Sequence, residues 1–205
     1  MKVIGRAVAA LVFLFAAGAV TAQSGETAEA TFAGGCFWCM EEAYDKVDGV
    51  LETVSGYAGG DVPNPSYQQV VGGNTGHYEV LQVTYDPDKV SYEELLDHFW
   101  YNVDPVDGGG QFCDRGSQYL SAIFYHNDRQ RRLAGDSLRE LMESDRFSRT
   151  IATDILELEE FYPAEEYHQN YYKKNSLRYN FYKTACGREA RLQEIWGAKA
   201  GGVTG

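Results

Sequence analysis

The residues best equipped for chemistry are four cysteines, Cys36, Cys39, Cys113 and Cys186, and the first two fall in the run AGGCFWCMEEAY. A cysteine that follows a Gly-Gly turn and opens a helix faces unpaired backbone N–H groups and the positive end of the helix dipole. Both lower a thiol pKa and favour the thiolate. Cys36 is therefore a candidate nucleophile. Phe37 and Trp38 follow it directly, and two large rings on one turn cannot both pack inward, so at least one is expected to line a pocket beside the sulfur. The spacing Cys36-x-x-Cys39 also suits a plain local disulfide, and an even cysteine count in an exported chain suits two structural disulfides with three connectivities. Zinc is less well supported, because neither Cys113 nor Cys186 brings a partner Cys or His at ligand spacing.

These side chains need a scaffold, and its elements can be read coarsely. Ala28 to Ala33 is a short strand that meets Gly34-Gly35, and Phe37 to Val47 then has helical periodicity. Leu51 to Tyr57 alternates as a strand. His77 to Tyr85 alternates more clearly, with Tyr78, Val80, Gln82 and Thr84 on one side and Glu79, Leu81, Val83 and Tyr85 on the other. Ser91 with Glu94 three residues on is a capping box for a helix to Tyr101, and Leu120 to Tyr125 is a strand. Asn127 or Asp128 caps a long helix to Glu143, Ile155 to Leu158 is a strand, and Ala164 to Lys174 and Glu189 to Trp196 read as helices. Strands and helices alternate without a regular βαβ repeat, which predicts an α+β architecture with a mixed sheet and helices against it.

The chain has 205 residues, room for one ordinary domain, and no repeat or linker divides it. A balance of 18 Lys plus Arg against 30 Asp plus Glu gives a net charge of −12, which argues against a nucleic-acid-binding surface. Lys2 and Arg6 precede an uninterrupted apolar run from Ala7 to Val20, which ends in the small-residue pattern Val20-Thr21-Ala22. That is the form of a secretory signal peptide over residues 1–22, shorter than a membrane span, leaving a mature domain at 23–205 with a core over about 28–197. A periplasmic or secreted location follows, without a membrane anchor after cleavage and in a compartment where disulfides persist.

The run GCFWCMEEAY resembles the A-type peptide methionine sulfoxide reductases, whose hallmark is a GCFW box. SGYAGG at Ser55, NPSYQQV at Asn64, GNTGHYEVLQVTYDP at Gly73, DRGSQYLSAIFY at Asp114 and FYPAEEYHQNYY at Phe161 resemble that family in the same order, over Ala30 to Trp196. The resemblance implies a two-layer, ferredoxin-like α+β sandwich. It implies Cys36 as the thiol that attacks the sulfoxide sulfur, Phe37 and Trp38 as rings holding the substrate methyl group, and Glu79 as the acid that protonates the departing oxygen. It further implies Tyr67 and Tyr119 as hydroxyls binding that oxygen, Asp114 as a polar residue orienting the substrate, and Cys186 as the recycling thiol. Cys39 and Cys113 are rivals for that last role. Tyr78 departs from the family, and strand alternation should turn it away from Glu79.

The chemistry is consistent with these roles. A sulfoxide oxygen leaves poorly until protonated, so an apolar site that keeps a carboxyl protonated supplies the acid. Tyrosine hydroxyls donate to the charge developing on oxygen. A second thiol then condenses with the resulting sulfenic acid to a disulfide. The expected substrate is methionine S-sulfoxide, free or in oxidised proteins, with no bound cofactor or metal and a thioredoxin-like electron donor. The competing readings are a thiol–disulfide oxidoreductase using Cys36 and Cys39, and a binding module stapled by two disulfides. His77 and His168 are left without a role.

Overall fold

The computed structural model describes residues 25–202, so the expected signal segment at 1–22 lies outside the described residues. One mixed sheet organises the molecule. Its strands are β1 (Ala28–Gly34), β2 (Val50–Ala58), β3 (Tyr78–Tyr85), β6 (Ser121–Tyr125), β7 (Asp154–Glu157) and β8 (Phe161–Pro163), in the order β7-β6-β1-β3-β2-β8. A separate two-stranded ribbon pairs β4 (Gly110–Gln111) with β5 (Asp114–Arg115). Every contact in the large sheet is antiparallel except β6 with β7, which are parallel. Parallel neighbours need a long crossover, and the helix α4 (Asp128–Glu143) supplies it.

The two faces of the sheet carry different layers. Phe32, Leu81, Val83 and Ile123 meet side chains from α1 (Phe37–Tyr44), α3 (Tyr92–Trp100), α4 and α7 (Arg188–Trp196) in the main core. Ala33, Ala58, Val80 and Phe124 form a smaller core on the opposite face with Tyr78 and Phe161. The alternation read from β3 is therefore realised: Tyr78 packs edge-on against Phe124, while Glu79 lies on the helix-bearing face and pairs across strands with Tyr57. The Ser91–Glu94 capping box and the Asn127 cap also form, with the Asn127 side chain accepting from Gln130 N at 3.0 Å.

Three segments depart from the sequence reading. Only α5 (Tyr171–Lys174) of the expected helix at Ala164 to Lys174 is helical, because 164–170 is laid along the edge of β2 instead. Ala164 N donates to Ser55 O at 2.9 Å, and the Gln169 amide both accepts from Ser55 N and donates to Ser55 O, at 2.9 and 2.8 Å. Asn170 then takes a left-handed φ of 54°, and its N–H donates to Glu41. A short α2 (Tyr67–Val71) starts from a Ser66–Gln69 capping box, and α6 (Ser176–Cys186) was also not read as a helix. Gly187 ends α6 at a φ of 71°, where a glycine adopts the left-handed cap without strain.

Candidate active site

The junction between β1 and α1 builds the centre of the site. Gly35 turns the chain at a φ of 79°, and a Cβ there would sit 2.6 Å from Gln111 Cβ, so the turn requires glycine on both counts. Cys36 follows as the N-cap of α1 and Cys39 occupies its first turn. The free N–H of Phe37, one of the groups that a helix start leaves unpaired, donates to Glu79 Oε2 at 3.1 Å. Central strand β3 thus presents a carboxyl directly to the start of the cysteine-bearing helix. Glu79 is only 2% exposed, and burial pushes its pKa well up, with Asp114 and Cys39 adding to the same direction.

The two free cysteines share one buried environment, at 5% and 6% exposed. The expectation of a depressed Cys36 pKa is not met. Burial raises it well above the ordinary value, and the hydrogen bond to Cys39 and the charges of Cys39, Glu79 and Asp114 raise it further. The same hydrogen bond from Cys36 draws Cys39 down to about 7, against its own burial, and Arg188 and Tyr179 assist. The physical reason is enclosure: the sequence shows a helix start but not that it is sealed from water among acids. Burial and the surrounding acids thus work against a charge on Cys36.

Aromatic rings wall this centre. Phe37 is buried against Tyr57 and Tyr67, with ring centroids at 6.0 and 6.4 Å, and Trp38, half-buried, stacks on Tyr171 at 3.8 Å. His168 explains its own burial: its Nδ1 accepts from Trp38 Nε1 at 3.1 Å and its ring lies 5.0 Å from Phe37, so it positions both rings. His77 is bonded through Gly60 N and Val62 O and is part of the scaffold. Burial, with the Glu79 carboxyl close by, raises the hydroxyls of both Tyr67 and Tyr119 above ordinary tyrosine values. Glu165 anchors the Tyr67 backbone N–H and the Tyr57 hydroxyl at 2.9 Å each.

A helix that sequence reading missed covers the centre. Tyr179 on α6 is buried beside Cys39 and donates to Glu42 at 2.6 Å, while Tyr182 packs edge-on to Trp38 and donates to Asp114. Their spacing of three with Cys186 four further on was the available signal, a helical face of two rings and a sulfur. Cys186 is bonded to Cys113, with Cα atoms 5.0 Å apart, and Cys113 is exposed. The ligand-type atoms of Cys113, Asp114 and Cys186 lie within 4.8 Å of one another, but the two sulfurs are spent on each other. Cys36, Phe37, Trp38, Glu79, Tyr67, Tyr119 and Asp114 are thus brought together, and Cys186 stands at their rim paired with Cys113 rather than with Cys36.

Comparison with known proteins agrees with this arrangement. The family model for peptide methionine sulfoxide reductase matches residues 28–200. The chain is 55% identical over 170 residues to a peptide methionine sulfoxide reductase MsrA of Bacillus licheniformis, covering 83% of this chain and 94% of that one. Among solved structures it resembles the reduced form of Mxr1 from Saccharomyces cerevisiae, at 38% identity and a TM-score of 0.67 over 73% of this chain and 86% of that one. It also resembles Mxr1 in complex with Trx2, at 27% identity and a TM-score of 0.50 over 75% and 91%.

Proposed function

The chain belongs to the peptide methionine sulfoxide reductase family, and we propose that its site reduces the S epimer of methionine sulfoxide, free or in oxidised proteins, with Cys36 as nucleophile. Each epimer has its own class of enzyme, and the A class takes one of the two. The observation that carries this reading is Glu79, a buried carboxyl whose pKa burial raises and whose oxygen accepts from the start of the helix that begins at Cys36. Such a group has no structural task that glutamine would not fill. It suits a reaction whose leaving oxygen must be protonated.

The residues divide the work as follows. Cys39, the more readily charged sulfur, takes the proton of Cys36, whose sulfur attacks the sulfoxide sulfur. Glu79 delivers its proton to the oxygen, and the hydroxyls of Tyr67 and Tyr119 donate to it as its charge grows. Phe37 and Trp38, fixed by His168, hold the methyl group, and Asp114 orients the substrate's polar end. Methionine leaves, and the oxygen remains on Cys36 as a sulfenic acid. Cys39 condenses with it, expelling water and forming a Cys36–Cys39 disulfide. The exposed Cys113 and the half-buried Cys186, when reduced, exchange with that disulfide and emerge as the Cys113–Cys186 bond, which an external dithiol reduces. Cys186 keeps a recycling role as part of a surface pair.

The donor we infer is of thioredoxin type, as in the relative solved with Trx2. Export through residues 1–22 gives the compartment, and a mature N-terminus at Gln23 would test it. A thiol–disulfide oxidoreductase would use Cys36 and Cys39 but leave Glu79, Tyr67 and Tyr119 idle. Single-turnover release of methionine from each epimer, with insulin reduction assayed in parallel, decides between the two: release from the S epimer alone supports the reductase, and insulin turnover without release overturns it.

A further inference from the structure

Beside Cys39 lies a cavity of about 350 Å³ lined by residues of α1, α3, α6 and α7 and by Ala200 and Gly201. Cys39 lines it and Cys36 does not. The cavity differs from the acidic surface of the protein. In its wall Lys46 and Lys183 pair with Glu42 and Lys183 also pairs with Glu189, so Arg188 leaves a surplus of one cation, although the whole chain carries −12. His98 lines it as well, 2% exposed, with neither ring nitrogen bonded to any partner among the described residues. A buried, uncommitted imidazole offers one donor and one acceptor, and leaving both unpaired is costly unless a ligand or water takes them.

Resting on the reductase reading above, we propose that this cavity admits a small carboxylate-bearing monothiol, of the cysteine or glutathione kind, which reduces the Cys36–Cys39 disulfide by attacking Cys39. Disulfide exchange proceeds by attack of a thiolate on one sulfur while the other departs. Because Cys39 borders the cavity and Cys36 does not, a thiol in the cavity meets the Cys39 sulfur rather than that of Cys36. The surplus cation in the wall favours both the carboxylate and the thiolate form of the guest. The first thiolate bonds to Cys39 Sγ, the Cys36–Cys39 bond breaks, and Cys36 leaves as a thiolate that takes up the proton the guest released. A second monothiol attacks the guest sulfur, giving the oxidised dimer of the thiol and freeing Cys39, so two monothiols are oxidised per disulfide reduced. This route bypasses Cys113 and Cys186.

The test uses a Cys113→Ser/Cys186→Ser background, in which the surface pair is removed, with Gln193→Trp added to fill the cavity from its exposed rim. Turnover should be supported by glutathione but not by a thioredoxin-type protein. Gln193→Trp should cut the glutathione-dependent rate by about tenfold or more, as expected for blocking a preformed pocket, and leave single-turnover methionine release unchanged. Lys46→Glu should weaken glutathione more than uncharged 2-mercaptoethanol. Enzyme oxidised by one equivalent of substrate and trapped with glutathione should carry it on Cys39. Normal single-turnover release with no glutathione-dependent turnover, an unaffected Gln193→Trp, or glutathione on Cys36 overturns the proposal. Absence of methionine release even in one turnover overturns the reductase reading instead.

Discussion

The main-chain N–H of Phe37 donates to Oε2 of Glu79 at 3.1 Å, tying the first turn of the Cys36 helix to the middle of the sheet. A carboxylic acid accepts such a bond through its carbonyl oxygen while its own O–H stays free to donate. Glu79→Gln keeps the acceptor and the shape but has no acidic proton to give. The variant should bind sulfoxide as wild type does and release methionine about 10²–10⁴-fold more slowly in a single turnover. Rapid-quench measurement of that step checks it, and an unchanged rate removes Glu79 from the chemistry.

Glu79 also leaves a mark on stability. Its folded pKa lies well above its unfolded value, so its favourable contribution is complete at acid pH and is lost as pH rises through the folded value. Wild type should therefore weaken relative to Glu79→Gln with increasing pH, by up to about 1.4 kcal/mol per unit once above the unfolded value. Urea titrations of both proteins at acid and at neutral pH measure the gap. A gap that does not widen shows a carboxylate already ionised in the folded state.

The thiols separate by stage. Cys36→Ser should abolish methionine release at any dithiothreitol concentration. Cys186→Ser should still release about one methionine per enzyme at the wild-type rate, because oxygen transfer precedes disulfide formation, whereas Cys39→Ser, which also loses the group that takes the Cys36 proton, should release it more slowly. Turnover with a thioredoxin-type donor should collapse in Cys186→Ser, and peptide mapping of that variant after one equivalent of substrate should find Cys36 joined to Cys39. A bridge from Cys36 to Cys186 forming first in the wild type would return the direct resolving role to the C-terminal thiol.

Tyr179 and Tyr182 lie over the buried sulfurs, and the Cys113–Cys186 bond pins the end of their helix. Cys36 should thus react slowly with iodoacetamide while that bond is intact and faster in Cys186→Ser. A gain of about tenfold corresponds to 1.4 kcal/mol of lost tethering. Equal alkylation rates by mass spectrometry would show that α6 does not shield the site.

The strands that build the site were legible because each carries its own signal: β3 alternates cleanly, and β1 runs into a Gly-Gly turn that leaves Cys36 at a helix start. Glu79, Tyr67, Tyr119 and Asp114 were named through the family boxes and do converge. What escaped depends on partners distant in sequence. Residues 164–170 have the composition of a helix, but Gln169 spends its amide on Ser55, 114 positions away. The Cys36 pKa went the other way for a similar reason, since the helix start is a local feature and the burial around it is assembled from β3, α5 and α6. Cys186 reads as a flexible residue before a glycine, and its partner is fixed by a ribbon 73 residues earlier.

That 73-residue separation couples two equilibria. In the chain-entropy view, closing a loop of this length takes about 4 kcal/mol of freedom from the unfolded chain, so the oxidised protein resists unfolding more than the reduced one. By reciprocity the fold must favour the oxidised pair by the same amount, which for a two-electron couple is about 90 mV toward the disulfide. The surface pair is consequently a good electron source for Cys36 and Cys39, and its own recharging requires a correspondingly strong reductant. Heating or denaturant, by loosening the fold, would make the Cys113–Cys186 bond easier to reduce, so thermal stress and redox state act on this enzyme through the same bond.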